Sequence, residues 1–148
     1  MLTARRWLRV IALTVLVSAL FTACASQEEL PPRLASELVQ RVEMRWSFRE
    51  SDDFAAMYRL QTPAYREAFS EYMYVSQFRS TVRWELTSVQ VLNYDPAAAV
   101  ASVAVRVMSE PTKSTSDAVK ALGTIPSRFV EQWILKDGEW WYISRKNS

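Results

Sequence analysis

Apolar residues follow three different rhythms along this chain. Val10–Phe21 is a run of 12 mostly apolar positions behind Arg5, Arg6 and Arg9. From Arg33 the spacing turns helical: Leu34, Leu38, Val42 and Trp46 recur every fourth residue, and Ala35 and Val39 widen the stripe. Glu37, Arg41 and Arg45 read as a separate polar face, so the segment is an amphipathic helix lying on a core. Ser51-Asp52-Asp53 supplies capping oxygens for a short second helix with Phe54, Met57 and Tyr58. Thr62-Pro63 restarts the helical pattern, a capping hydroxyl followed by proline at the first helical position. The stretch behind it carries Tyr65, Phe69, Tyr72, Met73 and Phe78, with Ser70 placed to cap a break inside it.

After Ser80 the period shortens to two. Val82–Tyr94 holds Trp84, Leu86, Val89 and Val91, and the parity of these residues flips near Thr87-Ser88, which predicts a bulge or a bend. Asn93–Pro96 reads as a turn, and Ala98–Met108 as a second strand. Residues 109–126 read as a long polar loop with a helical turn near Asp117–Leu122. Arg128–Lys136 and Glu139–Arg145 then form a hairpin across Asp137-Gly138, a pair that favours the type I′ turn. Helices first and an antiparallel meander after them predict an α+β fold: N-terminal helices packed on a curved four-stranded antiparallel sheet.

The N-terminal segment has the parts of a secretory signal, a basic start, a short apolar run and small residues at its end. Twelve apolar residues fall short of the ~20 that a membrane-spanning helix needs. Phe21-Thr22-Ala23-Cys24 resembles the lipobox of bacterial lipoproteins, with Phe21 where that box usually has leucine. The resemblance implies cleavage between Ala23 and Cys24, and lipidation of Cys24 by a diacylglyceryl thioether and an amide-linked chain such as palmitate. An ordinary signal peptide and a short membrane anchor are the alternatives. Ala25, where aspartate would signal inner-membrane retention, implies the outer membrane, facing the periplasm. The expected organisation is a signal peptide at 1–23, the lipidated cysteine and a tether at 24–32, and a folded domain at 33–148.

Composition narrows the chemistry. Without the three N-terminal arginines, 15 of the 18 basic side chains face all 16 acidic ones, a net of −1. A domain so close to neutrality has no electrostatic basis for binding nucleic acid. There is no histidine, and a single cysteine makes neither an internal disulfide nor a thiolate zinc site. The two glycines, Gly123 and Gly138, are too far apart for a phosphate-binding loop. No cofactor, metal ligand or catalytic residue is therefore assigned.

The helices, the bent first strand and the closing hairpin Trp133–Ile143 resemble the NTF2-like (cystatin-like cone) superfamily over residues 33–145. So does Tyr58…Thr62-Pro63-Ala64-Tyr65-Arg66 followed by Phe69-Ser70. The resemblance implies a sheet wrapped around the helices and a conical pocket between them. Superfamily enzymes of the ketosteroid isomerase type use pocket carboxylates and tyrosines; those of the scytalone dehydratase type add histidines, which this chain lacks. Glu131 is the candidate acid, because it alternates with Phe129, Trp133 and Leu135 on one strand face. A lone carboxylate in such a row would be desolvated and its pKa raised, whereas pairing with a neighbouring arginine would make it structural. The expected pocket lining is Tyr58, Tyr65, Tyr72, Trp84, Glu131 and Trp133.

Adjacent Trp140 and Trp141 must point to opposite faces of the sheet, so an outer aromatic face is expected. Together these features predict a non-enzymatic, lipid-anchored envelope protein that interacts through its sheet face. The alternative is a small-molecule or lipid binder using the cone pocket, and a pocket enzyme ranks behind both. The expected partners are the membrane, through lipid at Cys24, and a second copy of the chain or another envelope protein.

Overall fold

The computed structural model describes residues 29–112, 116, 117, 121 and 123–144. Cys24, the lipobox and the signal segment lie outside the described residues, as does Arg145. The helical half comprises α1 (Pro32–Glu50), α2 (Phe54–Arg59), α3 (Pro63–Ala68) and α4 (Glu71–Val75). Behind it come β1 (Val82–Asp95), β2 (Val100–Pro111), β3 (Ile125–Lys136) and β4 (Glu139–Ile143), joined as one antiparallel sheet in the order β1-β2-β3-β4. The fold is α+β, and no described helix is long and apolar enough to cross a membrane.

Each helix starts where the local chemistry requires. Pro32 opens α1, where its missing N–H costs nothing. Asp53 accepts the N–H of Ala56 at 2.9 Å, Thr62 that of Tyr65 at 3.2 Å and Ser70 that of Met73 at 3.3 Å. Each bond satisfies a donor that the first helical turn leaves free. The Ser70 cap follows Phe69, which is extended, so the third helical stretch is two short helices of independent phase. The core also takes in a residue ahead of 33: Leu30 is only 7% exposed and packs in it.

The core lies between α1 and the sheet. Leu38, Val42 and Trp46 of α1 meet Val103, Val105 and Val107 of β2, Trp133 of β3 and Trp140 of β4. A second cluster joins the short helices through Phe54, Met57 and Tyr74. The bulge expected in β1 is present between Leu86 and Ser88, and a second lies between Val91 and Asn93. Each inserts one residue, so Trp84, Leu86, Val89, Val91 and Tyr94 all pack against the same core. The second bulge lets Asn93–Asp95 stay in the ladder, which moves the turn from the expected 93–96 to 96–99. There Asp95 accepts the N–H groups of Ala97 and Ala98 at 2.9 and 3.2 Å.

β2 and β3 also extend further than expected, pairing Ser109 with Ile125 and Met108 with Pro126. Pro126 is tolerated because β4 pairs only with residues 132–136, which leaves one side of β3 open at that end. Of the helical turn expected at Asp117–Leu122, only Asp117 and Ala121 are among the described residues. At the far edge, Tyr142 donates its N–H to the Leu60 carbonyl at 2.8 Å, and Gln61 forms a parallel bridge with Tyr142.

The β3–β4 turn has φ of 54° at Asp137 and 79° at Gly138. An added Cβ at Gly138 would meet no atom within 4 Å, so any cost there is dihedral rather than steric. Gly138→Ala is therefore expected to destabilise the protein by about 1–2 kcal/mol. Urea unfolding should show this as a lower midpoint with an unchanged slope.

Candidate functional site

The two hydrophobic clusters do not merge. Between them lies a cleft of about 770 Å³, whose lining includes Trp46, Tyr65, Tyr74, Phe78, Trp84 and Phe129. Arg45, Arg49, Arg128, Glu131 and Tyr142 also face it. Its floor is the last turns of α1, and its walls are β1, β3 and the short helices. Trp46, Trp84 and Phe129 form a ring contact set with centroids 5.9–6.0 Å apart.

Glu131 is the polar centre of this region. It is only 5% exposed, yet both carboxylate oxygens are occupied. Oε1 accepts from Arg45 Nη1 at 2.7 Å and from Trp46 Nε1 at 3.0 Å, while Oε2 accepts from Trp133 Nε1 at 3.0 Å. The row of apolar neighbours expected from the strand alternation is there, but the carboxylate is not alone in it. Its partner is an arginine from the helix, so Glu131 is a charge-paired anchor rather than a poised general acid.

Arg45 does not lie on the polar face expected of it. It is 9% exposed and points at the sheet. Leu38, Val42, Arg45 and Arg49 follow one another at intervals of four, three and four, which is the spacing of a single helical stripe. That spacing is the signal in the sequence, and the positive charges mask it. The Arg45 guanidinium carbon also sits 3.9 Å from the centroid of the Tyr142 ring.

Arg49, one turn further on, has no carboxylate within ion-pair distance among the described residues. Its guanidinium carbon lies 4.9 Å from the Phe78 ring centroid, 5.4 Å from that of Trp84 and 5.5 Å from that of Phe54. Its Nη1 is buried without a hydrogen-bond partner, as is Nε of Arg45. Burial, reinforced by the positive charge of Arg45, pulls the Arg49 pKa below its usual value. Tyr74 shows the opposite direction: burial pushes its hydroxyl pKa up, against a smaller lowering by Arg45. Its oxygen accepts from Gln61 Nε2 at 3.2 Å, and Gln61 Oε1 accepts from Ser144 at 2.9 Å.

The six residues expected to line a pocket divide as follows. Tyr65, Trp84 and Glu131 line the cleft. Trp133 is fully buried beneath it, bonded to Glu131 and in ring contact with Tyr142, both of which line the cleft. Tyr58 does not line it; its hydroxyl faces the carbonyls of Phe69 at 2.8 Å and Arg66 at 3.1 Å, tying α2 to the α3–α4 junction. Tyr72 is 83% exposed and outside the cleft, because the Ser70 cap resets the helical phase and turns Tyr74 inward instead.

The outer aromatic face is smaller than expected. Trp84, Trp133 and Trp140 all pack on the inner side, leaving Trp141 as the outward-facing indole of β4. It is half-buried, with the guanidinium carbons of Arg66 and Arg41 at 5.2 and 5.7 Å from its ring centroid.

No family model matches this chain, and no curated protein matches it. Among solved structures, the chain is similar to Aln2 from a Streptomyces species, with 14% identity and a TM-score of 0.46. That likeness covers 77% of this chain and 89% of Aln2.

Glu131→Gln should destabilise the protein by about 3 kcal/mol, because it leaves Arg45 buried without its counter-charge. In a cycle of Glu131→Gln, Arg45→Met and the two combined, the double variant should lose less than the sum of the singles, because it removes the uncompensated guanidinium. The check is a double-mutant cycle from denaturant midpoints; additive losses would mean that the two groups are not coupled.

Proposed function

We propose that this chain is a lipid-anchored protein of the bacterial envelope whose domain, an NTF2-like cone, binds a small molecule in the cleft. The observation that carries the binding reading is the cleft itself. At about 770 Å³, it has the size of a small-molecule site, aromatic walls and a few convergent polar groups. The NTF2-like reading is supported by the order of the parts: helices first, then four antiparallel strands in sequence, the first of them bulged. The anchor reading rests on the sole cysteine standing at the end of the apolar run, in Phe21-Thr22-Ala23-Cys24. An interaction surface on the outer sheet face has weaker support, because Trp141 is already flanked by two arginines. Acid–base catalysis by Glu131 is likewise disfavoured, since three N–H donors already occupy its carboxylate.

Native mass spectrometry of the full chain, purified from the membranes of its own host, should show a co-purifying small mass released on denaturation. A spectrum with the polypeptide and its lipid alone would overturn the binding reading. Metabolic labelling with a palmitate analogue should mark the wild type and fail on Cys24→Ser, because the hydroxyl is a far weaker nucleophile than the thiolate. Equal labelling of both, or of neither, would overturn the lipoprotein assignment.

A further inference from the structure

The charges facing the cleft do not balance. Glu131 and Arg45 neutralise each other through their 2.7 Å pair. Arg49 is left as a half-buried cation with no ion pair among the described residues, and Arg128, which is exposed, adds positive charge at the rim. A desolvated guanidinium with an unbonded nitrogen is costly unless something pairs with it. Nη1 of Arg49 and Nε of Arg45 are themselves enclosed and unbonded, so what Arg49 presents to the cleft it lines is the remainder of its guanidinium. Arg49 is also held in place by rings, being within 5.5 Å of the centroids of Phe54, Phe78 and Trp84. Its fork is therefore already fixed before any ligand arrives, which lowers the ordering cost of binding.

We propose that the cleft takes a planar aromatic carboxylic acid, with its carboxylate on Arg49 and its ring system against Trp84 and Phe129. The proposal rests on the cleft being a binding site, and deepens that reading by naming the ligand class. The half-buried Arg49 fork matches one carboxylate in shape and charge, while Arg128 is exposed at the rim, where solvent screens it. The walls select a flat body. Trp46 and Phe129 stack with 29° between their planes, and Trp84 meets both edge-on, so the surface offered is aromatic rather than aliphatic. The Tyr74 hydroxyl accepts from Gln61 Nε2, which leaves its own proton to donate to a bound acid, and burial favours that protonated form.

The test is isothermal titration of the full chain in detergent micelles with 2-naphthoate and with its neutral isostere 2-naphthamide, after subtracting the heats in protein-free micelles. Naphthoate is expected to bind at least tenfold more tightly. Arg49→Gln should reduce naphthoate to the affinity of the amide, while Arg49→Lys, which restores the charge but not the fork, should recover part of the difference. Thermal melts of each variant establish that it is folded before it is titrated. Equal affinity for the two probes, or an Arg49→Gln protein that still prefers naphthoate, would overturn the carboxylate assignment and leave the cleft a binding site. Failure of both probes to bind the wild type would overturn the ligand class alone, because the binding reading is decided separately by the co-purifying mass.

Discussion

A carboxylate buried in the middle of a β-strand must be neutralised, and the way Glu131 meets that requirement organises the rest of the molecule. Its three donors come from two elements: Arg45 and Trp46 from α1, and Trp133 from β3 itself. These bonds fix both the rotation and the axial position of α1 on the sheet. A rotation of one residue would move Arg45 off its partner and push Trp46 out of the core. Buried ion pairs add little net stability, because desolvation offsets the attraction. What this one contributes is a unique docking geometry, since an aliphatic contact between helix and sheet would tolerate sliding.

That geometry has a second effect through helical repetition. Once Arg45 is turned toward the sheet, Arg49 must follow it on the same stripe, where no second carboxylate among the described residues pairs with it. The two aromatic clusters close around its guanidinium without sealing it. Packing there is interrupted by charge rather than by a lack of apolar side chains. The cleft is thus a product of the same stripe that docks the helix, and the fold and the site cannot be varied independently at these positions.

Local chemistry is largely legible in the sequence. The caps at Asp53, Thr62 and Ser70, the first bulge and the Asp137-Gly138 turn each depend on two or three adjacent residues, and all are present. What the sequence conceals depends on phase carried over a distance. Tyr72 faces inward only if the helix runs unbroken through Phe69, and the extended conformation there makes Tyr74 the buried tyrosine. The turn after β1 comes later than its residues suggest, because the second bulge, centred on Leu92, has no composition signal. Arg45 and Arg49 are hidden for a different reason: charge ordinarily means solvent, although their spacing continues the apolar stripe.

The course of α1 gives the protein a direction. The chain enters the fold at Leu30, and the cleft is built on the last turns of a helix of 19 residues. At 1.5 Å per residue, entry point and cleft are separated by about 20 Å along the helix axis. Under the anchor proposed at Cys24, six residues ahead of Leu30 in the sequence, the chain would enter the fold at the pole of α1 opposite the cleft. A domain standing on such a stalk would hold its cleft away from the bilayer. Exchange would then take place with the aqueous compartment, and the lipid would serve as a mooring rather than as a route of entry.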